Sequence, residues 1–116
     1  MADRRGCPRV EVSHMVLYSS DTHRSRKVAQ TLDLSAEGTR IETQYSLTRG
    51  ESVEISIAIH PQVITCRGQV VHLLWRDGER LRAGIEFQEL SRHDKLFLGE
   101  YVAYVMEQSN RTALPL

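Results

Sequence analysis

One run of residues limits the fold more than any other. Val53, Ile55, Ile57 and Ile59 alternate with Glu54, Ser56 and Ala58, so an apolar side chain recurs at every second position. That period belongs to a strand with one buried face, because a helix would scatter those four side chains around its circumference. His60-Pro61 ends the run, since proline has no N–H to give to a ladder. The same period returns at Leu81, Ala83, Ile85 and Phe87. Between the two runs, residues 62–74 read as one long strand, and Gly68 in its middle predicts a bulge or bend. Asp77-Gly78 is a hairpin signal, and Arg49-Gly50 marks another turn.

Upstream, residues 10–18 read as a strand with Val10, Val12 and Val16 on one parity. Residues 19–26, a mixture of Ser, Asp, Thr, His and Arg, read as a loop. Residues 27–32 and 39–44 follow as strands, the second anchored by Ile41. After Phe87 the period changes. Ser91 is placed to cap a helix, Asp94 suits its first turn, and Leu98, Val102 and Val105 share a face with Tyr101. That helix is expected to fray near Ser109 and Asn110. The pattern predicts an all-β domain: a small six-stranded antiparallel Greek-key or split β-barrel, with a C-terminal α-helix packed over one mouth. It divides the chain into an N-terminal arm (residues 1–9), the barrel plus helix (10–108) and a loose tail (109–116). The arm carries Gly6, Pro8 and no periodicity, which predicts mobility until something binds it.

Composition narrows the function classes. The chain has 116 residues, enough for one domain with a single core. Lys plus Arg and Asp plus Glu each number 15, for a formal net charge of +0. That balance argues against bulk nucleic-acid binding, which draws on a basic surplus. A local basic site remains, because Arg4, Arg5 and Arg9 face only Asp3 in the first nine residues. No apolar run has membrane-spanning length, the start lacks a signal-peptide core, and a cytoplasmic location is the expectation. Cys7 and Cys66 show no metal or redox spacing and read as free thiols, and the five histidines are scattered.

The candidate site has two parts. Arg5-Gly6-Cys7-Pro8-Arg9 places two guanidiniums four residues apart, and Asp33-Leu34-Ser35-Ala36-Glu37-Gly38 has a tight-turn signature. In the turn, Asp33 and Ser35 supply short acceptors, and Gly38 is free to take positive φ or to admit a close approach. Taken singly, Asp33 and Ser35 read as turn residues and Arg5 as a solvated arm charge. Taken together and in this order, Arg-x-x-x-Arg and Asp-x-Ser-x-x-Gly resemble the PilZ family, whose members bind the bacterial second messenger cyclic di-GMP. Gly68-Gln69-Val70-Val71 and Gly84-Ile85-Glu86-Phe87 resemble that family's glycine-valine strand and its late Gly-hydrophobic-x-Phe strand. The resemblance runs from about Arg4 to Met106.

The resemblance implies a ligand site of Arg4, Arg5, Arg9, Asp33, Ser35 and Gly38. An arginine fork matches the O6 and N7 acceptors of guanine, pairs with phosphate and stacks on a purine. Which arginine takes which role stays open. Asp33 offers an acceptor to guanine N1–H and N2–H2, and Ser35 a hydroxyl. Trp75 reads as a packing residue or as a stacking surface for a projecting guanine, with Arg76 and Arg82 as neighbouring candidates.

Catalytic motifs are missing: no Gly-x-Ser-x-Gly, no phosphate loop, no paired metal ligands. The expectation is therefore a non-enzymatic, stand-alone receptor or adaptor that takes cyclic di-GMP, with no cofactor or metal, and signals to a downstream protein partner. The alternative is a PilZ-like protein–protein interaction module that does not bind the nucleotide, although relatives of that kind lack the arginine pair found here. A nucleic-acid-binding barrel would need exposed aromatics on a basic strand face, and the strands carry few.

Overall fold

The period-2 runs build strands that close on one another. In the computed structural model, which describes residues 7–113 apart from the side chains of Trp75 and residues 111–113, seven strands precede one helix. They are β1 (Arg9–Val10), β2 (Met15–Ser20), β3 (Lys27–Ser35), β4 (Gly38–Thr43), β5 (Ser52–Ile59), β6 (Gln62–Asp77) and β7 (Arg80–Phe87), followed by α1 (Arg92–Ala113). All pairings are antiparallel, in the order β1-β3-β2-β5-β6-β7-β4, and a further β3–β4 pairing closes the ring. The six strands β2 to β7 thus form the expected barrel. β1 is an addition that pairs with the end of β3 through Arg9↔Ser35 and Val10↔Leu34.

The alternation decides what fills the barrel. Val16, Tyr18, Ile41, Val53, Ile55, Ile57, Ile59, Leu81, Ala83 and Ile85 are all buried. The Tyr18 hydroxyl, which burial would otherwise strand, is hydrogen-bonded to Thr43 Oγ1 at 2.8 Å. α1 starts as expected, the Asp94 N–H donating to Ser91 Oγ at 3.1 Å. It buries Leu98 and Val102 and packs against β1 and β3. The helix continues to Ala113, past the fraying expected near Ser109 and Asn110.

Three local expectations need correction. Residues 10–18 are not one strand. The chain leaves β1 after Val10 and enters β2 at Met15, because β3 changes partner from β2 to β1 across an irregularity between Thr31 and Asp33. Thr31 ties down the crossing: its N–H donates to His14 O, and its Oγ1 accepts from the His14 N–H, both at 2.9 Å. Gly68 marks no bulge. The β6–β7 register shifts lie between Val70 and His72 and between Leu73 and Trp75. Gly68 is small because a Cβ there would meet Ile85 Cγ2 at 2.8 Å and Glu86 O at 3.0 Å.

The third correction concerns the expected turn at Asp33 to Gly38. Asp33 and Ser35 belong to β3, and Gly38 opens β4, so only Ala36 and Glu37 lie outside the ladder. Gly38 does not have positive φ; among the described residues Gly50 and Gly78 do, in the two turns read from the sequence. Gly38 is required for a different reason. A Cβ there would stand 2.4 Å from the Ile85 carbonyl oxygen of β7, which is a close approach by the protein's own backbone.

Candidate functional site

The two-residue β3–β4 hairpin sets the site. With Ala36-Glu37 at its tip, Leu34 pairs with Thr39 and Asp33 with Arg40. Ser35 closes the tip: its Oγ accepts the N–H groups of Glu37 at 3.1 Å and Gly38 at 3.2 Å, and donates to Gly38 O at 3.3 Å. Thr39 Oγ1 adds a 2.6 Å bond to Asp33 O. The hydroxyl of Ser35 therefore serves the hairpin, as the turn reading of that residue has it.

Asp33 is the centre of charge. Its side chain is 2% exposed, yet it meets two arginines that are 43% and 47% exposed. Arg9 Nη1 donates to Asp33 Oδ1 at 2.7 Å. Arg40 donates to Oδ1 from its backbone N–H at 3.2 Å, and to Oδ2 from its side chain through Nε and Nη2. A buried carboxylate needs this many donors to offset its lost hydration. Arg9 is held through Nη1 alone and Arg40 through its Nε–Nη2 edge, and both side chains stay nearly half exposed.

Beside them runs a groove of about 310 Å³ on the outer face of β4, β7 and the far half of β6. Cys7 and Arg9 line it from the N-terminal segment, and Ser35, Glu37, Gly38 and Arg40 from the hairpin. Val71, His72 and Leu74 line it from β6, and Gly84 and Glu86 from β7. Thus Arg9, Asp33, Ser35 and Gly38 of the sequence-derived set come together, while Arg4 and Arg5 lie outside the described residues. Asp33 points both oxygens at arginines and holds the two cations beside the groove. The Trp75 side chain also lies outside the described residues. Arg82 is drawn away from the groove: its Nε donates to Glu42 Oε1 at 3.1 Å, and Arg80 Nη1 stands 3.3 Å from Glu42 Oε2.

Arg40 and His72 were missed in the sequence. Arg40 was within reach: a two-residue hairpin centred on Ala36-Glu37 puts position 40 opposite 33, and the parity of Ile41 puts it outside. His72 carried no comparable signal, because the two β6 register shifts change which side chains face outward.

Among the described residues, no group of three or more His, Cys, Asp or Glu side chains is arranged to hold a metal ion. No described helix is long and apolar enough to cross a membrane.

Comparison with known proteins addresses this fold directly. The Bacillus subtilis inhibitor of motility, MotI/DgrA, superposes with a TM-score of 0.77 at 20% identity, over 94% of this chain and 53% of that one. The PilZ domain of YcgR from Escherichia coli, with c-di-GMP, gives a TM-score of 0.76 at 16% identity, over 96% and 98% of the two chains. Escherichia coli YcgR in complex with c-di-GMP gives 0.77 at 16% identity, over 97% and 50%. The chain therefore spans about half the length of MotI and of the longer YcgR chain. No curated protein sequence matches it. The family model described as PilZ domain matches residues 3–104, which include all seven strands and the larger part of the helix. The chain belongs to the PilZ domain family.

Proposed function

We propose that this chain is a receptor for cyclic di-GMP, holding the nucleotide in the groove beside Asp33. The observation that carries the proposal is the pair of guanidiniums, Arg9 and Arg40, secured on one buried carboxylate at the edge of that groove. An anionic ligand with guanine edges is what such a pair suits. Phosphate takes a guanidinium through charge-assisted bonds, and guanine O6 and N7 take the same fork bidentately. Asp33 restrains both side chains in advance, which lowers the entropy lost when the ligand orders them.

In this reading Arg4 and Arg5 supply further contacts from the N-terminal arm. Ser35 and Gly38 shape the hairpin under the ligand. The protein works without a cofactor and without catalysis, passing the signal to a protein partner through a changed surface. That the PilZ domain of YcgR is known with c-di-GMP supports the ligand class.

Calorimetric titration tests it. Cyclic di-GMP should bind, and cyclic di-AMP should bind far more weakly, because adenine presents an N6–H2 donor where guanine has O6, and an arginine fork then faces a donor. No heat of binding with cyclic di-GMP overturns the proposal. Equal affinity for the two nucleotides reduces it to phosphate binding alone.

A further inference from the structure

Across the outer face of the barrel, four positions stand in a row. Asp33 pairs with Arg40, Arg40 with Gly84, and Gly84 with His72, on β3, β4, β7 and β6 in turn. Cross-strand partners of this kind place their side chains side by side on one face. The row runs from a charged end to an apolar one. Arg9 and Arg40 flank the groove near Asp33, whereas Val71, Leu74 and His72 flank it at the β6 end. Leu74 is 44% exposed, an apolar side chain left at the groove rim.

Gly84 stands between the two ends, and it differs from the glycines that the barrel requires. Gly38 and Gly68 exclude a Cβ by contacts of 2.4 and 2.8 Å. The nearest atoms to a Cβ on Gly84 would be those of the His72 side chain: Cβ at 3.5 Å, Cδ2 at 3.6 Å and Cγ at 3.9 Å, all ordinary van der Waals distances. Neither packing nor φ requires a glycine at position 84. What the missing side chain does is leave the β7 backbone bare beside the imidazole, whose Cδ2 lies 3.6 Å from where a Cβ would stand. An exposed flat ring lying against bare backbone, with apolar neighbours and a cation one strand beyond, has the makings of a stacking surface.

We propose that His72, resting against Gly84, is the platform on which one purine base of the ligand stacks. The proposal rests on the cyclic di-GMP reading of the groove and assigns its two ends, with phosphate at Arg9 and Arg40 and a base at His72. Stacking needs a ring and not an imidazole as such, and this separates it from a charge or a hydrogen bond.

The test titrates cyclic di-GMP into the parent, His72→Ala and His72→Phe, with thermal melts as fold controls. A lost stacking partner should weaken binding by roughly 5- to 100-fold in His72→Ala, while His72→Phe should bind within a few-fold of the parent. In the parent, the His72 ring protons should move upfield on saturation, as they do beneath a purine. Gly84→Val, whose two methyls would crowd the imidazole, should bind more weakly in folded protein. If the parent binds and His72→Ala binds equally well, the platform is wrong and the receptor reading stands. If His72→Phe fails like His72→Ala in folded protein, the ring acts through its nitrogens and the stacking proposal is overturned. If the parent takes up no cyclic di-GMP, both proposals fall together.

Discussion

Arg9 and Asp33, 24 positions apart in the chain, meet through a 2.7 Å bond from Nη1 to Oδ1. Next to it the backbone of Arg9 pairs with Ser35 as part of β1. The second arginine of the Arg-x-x-x-Arg motif is therefore anchored twice, once by its main chain and once by its side chain. The carboxylate that anchors it also holds Arg40, so Asp33 couples a residue from the N-terminal segment to one from the barrel wall.

This coupling makes Asp33 the most sensitive position of the site. Asp33→Asn keeps the size and loses the charge, leaving two guanidiniums close together with no counter-charge between them. Because both arginines are nearly half exposed, solvent screens much of their repulsion, and the stability cost should be modest, about 1–3 kcal/mol. Cyclic di-GMP affinity should fall more than that cost alone implies, since both cations lose their placement. Urea unfolding and calorimetry on the same variant check the two parts. An Asp33→Asn protein that binds like the parent would show that the arginines need no organiser.

How far this site was legible in the sequence depends on which kind of information each residue carries. Alternation at Val53–Ile59 and at Leu81–Phe87 reports a buried face, and those strands and the six-membered ring followed from it. The helix start was legible because Ser91 and Asp94 form a local, self-contained cap. Partner choice is not local. Nothing near Thr31 announces that β3 exchanges β2 for β1, and that exchange turns an expected nine-residue strand into β1, a crossing and β2. The Asp33 position was legible in the motif, but its burial and its bonds to Arg40 were not, because both depend on the ladder. Gly68 misled because a glycine in a strand signals either a bend or a close neighbour, and here the neighbour is Ile85.

Gly38 and Gly84 make a paired prediction about the same outer face. Gly38→Ala puts a methyl 2.4 Å from the Ile85 carbonyl oxygen, so β4 and β7 must separate locally. Overpacking of this sort costs about 1–3 kcal/mol, more where the obstacle is backbone. Gly84→Ala meets only ordinary contacts and should lie within about 0.5 kcal/mol of the parent, as surface changes commonly do. Thermal or urea unfolding of the two variants side by side decides it. Equal stabilities would mean that the β4–β7 contact yields more easily than its spacing indicates.

His14 links the β1–β2 crossing to the helix, its Nε2 lying 2.7 Å from the Tyr101 hydroxyl, and Tyr101 in turn stacks on Phe97. Burial lowers the His14 pKa from its ordinary 6.5. The sign follows: just below 6.5 the unfolded chain takes up the proton and the folded chain does not, so acid favours unfolding. Stability from this group is fully present above 6.5 and is lost as the pH falls through the lowered folded value. Urea midpoints measured at about pH 7.5 and about pH 5.5 should drop more for the parent than for His14→Gln, which cannot titrate. The same drop in both proteins would place the acid sensitivity elsewhere.

The N-terminal segment is the expected switch. The proposed arm spans residues 1–9, of which residues 1–6 lie outside the described residues. Its inner end is held by a strand of only two residues, Arg9–Val10, on the end of β3. The barrel ring closes through β3 and β4 without that strand. So short a ladder contributes little protection, and its side-chain support is the Arg9–Asp33 pair, exposed on the arginine side, together with the buried Val10. Ligand phosphates meeting Arg5 and Arg9 should add contacts across the segment and restrain it. Amide exchange from Cys7 to Val10 should therefore slow when cyclic di-GMP is added, while β5, buried in the ring, stays protected with or without it. Arg5→Ala and Arg9→Ala should each lower affinity about ten- to a hundredfold, the loss of a charge-assisted contact of about 1.5–3 kcal/mol. Deleting residues 1–9 should abolish binding and leave a cooperative unfolding transition, since every barrel pairing survives. If exchange from Cys7 to Val10 is as slow without ligand as with it, ordering of this segment is not the signal, and the partner must read a different surface. If the deletion variant still binds, the Arg40 and His72 side of the groove suffices by itself.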